Sequence, residues 1–266
     1  MIYRIKLGLV LLGFAALTSC QYEEIAKANY PDELIYLPAA LQGIYNIDNL
    51  PTLTLAVPTP GNPYRFTVNT ITNEFNVPLA VYRSGISDGK TIMVDITVNA
   101  DTINNLIVTD TVNMKNTEVL PTGKYSLPSS VQVMGGSDLG PFNLIVDLDF
   151  LKANAPRKYA LGVTISSVDC KSNPSYKTVI ILIDTRIMIP APKFTFVIDN
   201  PTNKVTFTNA TNFGVSYSWD FGDNSTSAEQ NPVHTFAAFG DYNVTIHATG
   251  LAGNVVDYTS MVKITN

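Results

Sequence analysis

Four scarcities frame this 266-residue chain: two cysteines, one tryptophan, two histidines, and charged side chains at only 15% of positions. The histidines, His234 and His247, have no cysteine or further histidine at zinc spacing, which argues against a zinc centre. Neither adjoins a nucleophile-elbow pattern, so nucleophile–histidine catalysis has no motif here. Basic side chains number 17 against 22 acidic ones, for a formal charge of −5. An acidic chain is a poor partner for the phosphate backbone, and no nucleic acid is expected to bind. Long hydrophobic runs are also missing, so no segment is long enough to span a bilayer as a helix.

The N-terminus carries the first positive signal. Arg4 and Lys6 precede an apolar run from Leu7 to Leu17, the layout of a secretory signal rather than a membrane span. Leu17-Thr18-Ser19-Cys20 closes it, and this stretch resembles the bacterial lipobox. The resemblance implies a signal peptide over 1–19 and lipidation of Cys20. Loss of Arg4 and Lys6 would leave 15 basic against 22 acidic side chains, a formal charge of −7. With Cys20 consumed as a thioether, Cys170 would have no partner for a disulfide, and stability would rest on buried apolar area. Residues 20–32 show no period and read as a lipidated tether. Glu23 and Glu24 behind the cysteine resemble a surface-export signal, so the expected location is the outer membrane, lipid-anchored and surface-exposed.

From 33 to 188 the chain alternates with period two between turn residues. Ile92, Val94, Ile96 and Val98 oppose Asp95, Thr97 and Asn99; Phe142 to Phe150 and Tyr159 to Ile165 repeat the pattern, and Thr178 to Ile183 is continuously apolar. Asp101 to Val108 is expected to form a short helix capped by Asp101. Pro190 and Pro192 mark a stiff linker at 189–192. Short alternating strands resume over 193–266. The fold class expected is all-β, two β-sandwich domains, the C-terminal one immunoglobulin-like.

In the second unit, Tyr217-Ser218-Trp219-Asp220-Phe221-Gly222-Asp223 is followed by Asn231-Pro232-Val233-His234-Thr235-Phe236 and Gly240-Asp241-Tyr242-Asn243-Val244-Thr245-Ile246. These segments resemble the polycystic kidney disease (PKD) domain, with Asn224 where that family has glycine. Alternation alone puts Tyr217, Trp219 and Phe221 on one face, in the core. Asp220 and Asp223 are weak candidates for a cation, being few ligands for calcium.

Residues 33–186 resemble an uncharacterised N-terminal domain of surface lipoproteins from glycan-utilisation loci and of some endo-β-N-acetylglucosaminidases. The likeness rests on Leu120-Pro121, Tyr125-Ser126-Leu127-Pro128, the Phe142–Phe150 segment with Leu151-Lys152, and Tyr159-Ala160-Leu161. It implies no catalysis in this region.

The best carboxylate pair, Asp147 and Asp149, reads as two residues of one polar strand face, where solvation rather than glycoside hydrolysis is the ordinary fate. No catalytic residue and no cofactor are expected. Among thirteen tyrosines, Tyr64 and Tyr82 near loop ends are weak candidates for ligand binding. Asp101-Thr102-Ile103 and Asp110-Thr111-Val112 resemble short O-glycosylation motifs. The function expected is a non-enzymatic surface lipoprotein that binds glycan or assists a glycan-utilisation system, with a glycan and outer-membrane transporter proteins as partners. The alternative is a structural, spacer or protein-interaction lipoprotein without a sugar site.

Overall fold

The computed structural model describes residues 32–50, 64–85 and 89–265. In the N-terminal part the strands are β1 (Leu34–Tyr36), β2 (Ile44–Ile47), β3 (Thr67–Asn69), β4 (Glu74–Ser84), β5 (Ile92–Val98), β6 (Thr117–Val119), β7 (Tyr125–Ser126), β8 (Ser130–Val133), β9 (Leu139–Asp147), β10 (Lys158–Ser166), β11 (Lys171–Ser172) and β12 (Thr178–Asp184). Among the described residues two α-helices interrupt them, α1 (Ala100–Thr109) and α2 (Leu148–Ala153). The first sheet runs β11-β1-β4-β9-β7 with β3 beside β4, and the second runs β2-β12-β10-β5-β8 with β6 beside β10.

The alternation seen in the sequence decides which way each strand faces. Phe75, Val77, Leu79 and Val81 of β4 meet Tyr159, Leu161, Val163 and the inward residues of β12, all within one buried cluster. Pro78 cannot donate to a ladder. It lies where β4 is flanked by β9 but by neither β1 nor β3, so the missing N–H costs little. α1 covers part of the outer face of the second sheet, where Ile103 packs with Met114, Ala160 and Leu182.

Two local expectations are corrected. α1 is capped by Asn99, whose side chain accepts from the Thr102 amide at 3.0 Å, and not by Asp101. The Asn99 amide is bound to the Gly162 carbonyl at 2.8 Å, so the chain leaves β5 there and the helix starts at once. The amphipathic segment 142–150 is not all strand either. β9 ends at Asp147, whose carboxylate accepts from the Phe150 amide at 3.0 Å and caps α2.

The C-terminal part contains β13 (Phe194–Asp199), β14 (Lys204–Asn209), β15 (Gly214–Asp220), β16 (Thr226–Ser227), β17 (Val233–Thr235), β18 (Gly240–Gly250) and β19 (Val255–Ile264). They pair as β13-β14-β17 and β16-β15-β18-β19. Trp219 is buried between the sheets, 5.1 Å from the Phe194 ring and 5.4 Å from the Phe207 ring. Its indole N–H donates to the Glu229 carbonyl at 2.9 Å, so no polar atom is stranded by the burial. On the order of 200 Å² of apolar surface at about 25 cal/mol per Å² makes this ring one of the largest single contributions to the core.

The two parts touch. Ala252, at the tip of the β18–β19 hairpin, is buried in the N-terminal cluster with Ile187 and Met188, and Leu251 and Phe213 pack against the same cluster. Ala191 and Asn212 exchange backbone bonds at 2.9 and 3.2 Å. The chain is thus all-β with two sandwiches, as its alternation implied.

Candidate ligand-binding face

The outer face of the first sheet presents an aromatic group. Register pairs Tyr36 of β1 with Tyr82 of β4, and their rings lie 5.3 Å apart. Tyr176 joins from the turn before β12, its ring 6.5 Å from that of Tyr36, held there because its carbonyl accepts from the Leu37 amide at 2.9 Å. Inward neighbours of these residues, Ile35 and Val81, are fully buried, so the tyrosines point away from the core. Burial and the neighbouring Tyr82 raise the pKa of the Tyr36 phenol above its usual value. No phenol oxygen of the three has a hydrogen-bond partner among the described residues. Leu139, paired with Tyr82, and the exposed Pro141 and Asn143 continue the same face along β9.

Of the two tyrosines singled out from the sequence, Tyr82 is therefore part of a cluster. Tyr64 stands elsewhere: it precedes Arg65, whose guanidinium donates to the Asn46 carbonyl at 2.9 Å, on β2 of the second sheet. Tyr36 and Tyr176 were not legible as site residues. The alternation of β1 marks Tyr36 as outward, but nothing local to Tyr176 indicates that a turn far along the chain returns to β1.

The carboxylates have structural duties. Asp220 accepts from the Gly222 amide at 2.8 Å. Asp223 accepts from the Ser225 amide at 3.1 Å and from its hydroxyl, and its other oxygen is 2.7 Å from Nε2 of His234. The His234 ring stacks on Phe221 at 4.2 Å and meets Phe236 edge-on. Burial alone would raise the Asp223 carboxyl, but the hydrogen bonds from Ser225 and His234 outweigh it and hold the group below its ordinary range. This cluster fastens the turn after β15 to β17. Among the described residues no three His, Cys, Asp or Glu side chains gather as a metal site.

Asp147 and Asp149 do not form a pair on one strand face. Asp147 is also bound by Asn73 at 3.1 Å and Lys124 at 3.1 Å. Its carboxyl is lowered, chiefly by the Phe150 amide. Asp149 sits in the first turn of α2 and pairs loosely with Lys152 at 3.6 Å. Cys20 lies outside the described residues. Among the described residues no helix is long and apolar enough to cross a membrane.

Comparison with known proteins agrees with these two parts. A family model described as an N-terminal domain matches residues 32–171, and the PKD domain model matches 195–265; neither describes a catalytic domain. Among solved structures, the PKD1 domain of the Vibrio cholerae metalloprotease PrtV is 28% identical over 29% of this chain and 98% of that one, with a TM-score of 0.27. A candidate carbohydrate-binding protein from Bacteroides ovatus is 12% identical over 76% of this chain and 68% of that one, with a TM-score of 0.39. EndoBT-3987 of Bacteroides thetaiotamicron is 14% identical over 44% of this chain, with a TM-score of 0.34, and the matched region spans only 27% of that longer protein. The chain belongs to the family that shares this N-terminal domain, and it carries a PKD domain behind it.

Proposed function

We propose that this chain is a lipid-anchored protein of the cell envelope, without catalysis of its own, that captures a glycan on the Tyr36–Tyr82–Tyr176 face. The observation that carries the reading is the cluster itself: three half-buried to exposed rings side by side on the outer face of a sheet, their phenol oxygens without a hydrogen-bond partner among the described residues. Sugar C–H faces pack on aromatic rings, and phenols exchange hydrogen bonds with sugar hydroxyls, so one surface supplies both halves of recognition. Anchoring is supported by Leu17-Thr18-Ser19-Cys20, and the tether behind Cys20 would hold the face clear of the membrane beside an outer-membrane transporter.

A broad glycan array, probed with soluble protein from residue 22 onward, tests the proposal. Binding is expected, and Tyr36→Ala or Tyr82→Ala should each weaken it by about tenfold, the worth of one aromatic contact. Absence of binding across the array, or binding indifferent to the combined tyrosine substitutions, would remove the glycan assignment. A spacer role for the PKD domain has separate support in the hairpin buried against the N-terminal core, which fixes the domain's orientation. A partner retained without sugar dependence would favour that role.

A further inference from the structure

The second sheet has an outer face too, and α1 covers only part of it. Beyond the helix, where β2, β10 and β12 end, Asn46, Asp184 and Lys158 remain on the open side beside the 110–116 loop. A hollow of about 420 Å³ lies there, lined by Lys115, Asn116, Arg157, Lys158, Asp184 and Arg186 among others, and a smaller one of about 200 Å³ adjoins it toward Asn46 and Asp48.

The charges in this hollow are unevenly satisfied. Asp184, its side chain 4% exposed, is gripped by Arg186: Nε lies 3.0 and 2.9 Å from the two carboxylate oxygens, and Nη2 lies 2.6 Å from one. Nη1 of Arg186 has no partner among the described residues. Arg157 is paired with Glu118 at 2.6 Å, and Asp48 faces Arg186 from the far end. Lys115 and the half-buried Lys158 carry no carboxylate among the described residues. Unpaired ammonium groups next to an immobilised guanidinium favour an anion, because a fixed planar fork and nearby point charges match oxyanion geometry. In a chain of net charge −5 this local excess stands against the general field.

We propose that the hollow binds the oxyanion of an acidic saccharide, a carboxylate or a sulfate ester, between Lys115, Lys158 and the free edge of Arg186. The saccharide half rests on the glycan-capture reading, and the side-chain amides of Asn46 and Asn116 beside the cations suit sugar hydroxyls. The oxyanion half stands on the charges alone.

Backbone amide shifts measured by NMR would test it, with sodium sulfate, sodium glucuronate, a sulfated monosaccharide and a neutral methyl glucoside as probes at matched ionic strength. Shifts confined to Lys115, Asn116, Arg157, Lys158 and Arg186 are expected with glucuronate or the sulfated sugar and absent with the neutral one. The combined Lys115→Ala and Lys158→Ala variant, at positions outside the buried apolar clusters, should bind at least tenfold more weakly. Tighter binding of glucuronate identifies a carboxylate ligand, and of the sulfated sugar a sulfate ester. Uptake of inorganic sulfate with refusal of both acidic sugars overturns the saccharide assignment. No localised shift with any anion, equal shifts from the neutral sugar, or indifference to the two lysine changes overturns the site. Each of those results leaves glycan capture at Tyr36 and Tyr82 standing or falling on its own array.

Discussion

Arg83 is a full charge inside the N-terminal core, 1% exposed. Its fork donates to the carbonyls of Lys90 at 2.7 Å, Met134 at 3.2 Å and Ser137 at 2.8 Å, and Nε stands 3.3 Å from Glu33. The β4–β5 and β8–β9 loops and the residue before β1 thereby share one side chain. Arg83→Ala should cost about 3–5 kcal/mol in urea unfolding, and Arg83→Lys most of that, because a point ammonium cannot serve the same carbonyls. A loss under about 1 kcal/mol for Arg83→Ala would mean that the loops hold without it. At Asp223 the effect is pH-dependent. A carboxyl depressed by folding adds stability above its unfolded pKa near 3.9, and that contribution is lost as pH falls through the lower folded value. Asp223→Asn should therefore destabilise the PKD domain by about 1 kcal/mol at neutral pH, and its denaturation midpoint should converge on that of the parent protein in acid. A gap of constant size across the acid range would exclude the linkage.

At the scale of elements, the strand-to-helix junction shows where pattern reading fails. Phe142, Leu144, Val146, Leu148 and Phe150 keep period two, yet Asp147 turns the chain by capping α2. Capping competes with strand extension because a carboxylate satisfies helix donors that a strand does not expose. Asp147→Ala should lower stability by about 1–2 kcal/mol, and Asp149→Ala by less than about 0.5 kcal/mol. Equal effects, or hydrolysis of a polysaccharide abolished by either change, would contradict the structural assignment. The strands themselves were legible because burial on one face forces alternation. The tyrosine cluster was legible only in Tyr82, since β1–β4 pairing and the return of the Tyr176 turn join residues distant in sequence.

Taken whole, the molecule is fastened at the hairpin between β18 and β19. Gly250 stands there because any Cβ would lie 2.8 Å from Pro190 and 3.1 Å from the Met188 carbonyl. Gly250→Val should push the domains apart, raising the radius of gyration in solution scattering, while each core keeps its own circular dichroism. An unchanged scattering curve would show that the contact at Ala252 does not set the arrangement. Pro190 and Pro192 were expected to mark a boundary, since proline forbids a central strand whatever surrounds it. They did not announce that the boundary would be packed, because a hairpin tip such as Leu251-Ala252 reads as an ordinary turn until a second core is placed beneath it. Strand periodicity, the buried Trp219 and the turn around Asp220 are local consequences of backbone geometry and apolar spacing, so they stand in the chain as written. The tyrosine face, the cationic hollow and the interlocked domains depend on which strands become neighbours, and that is settled by long-range packing of two cores rather than by any neighbouring residues.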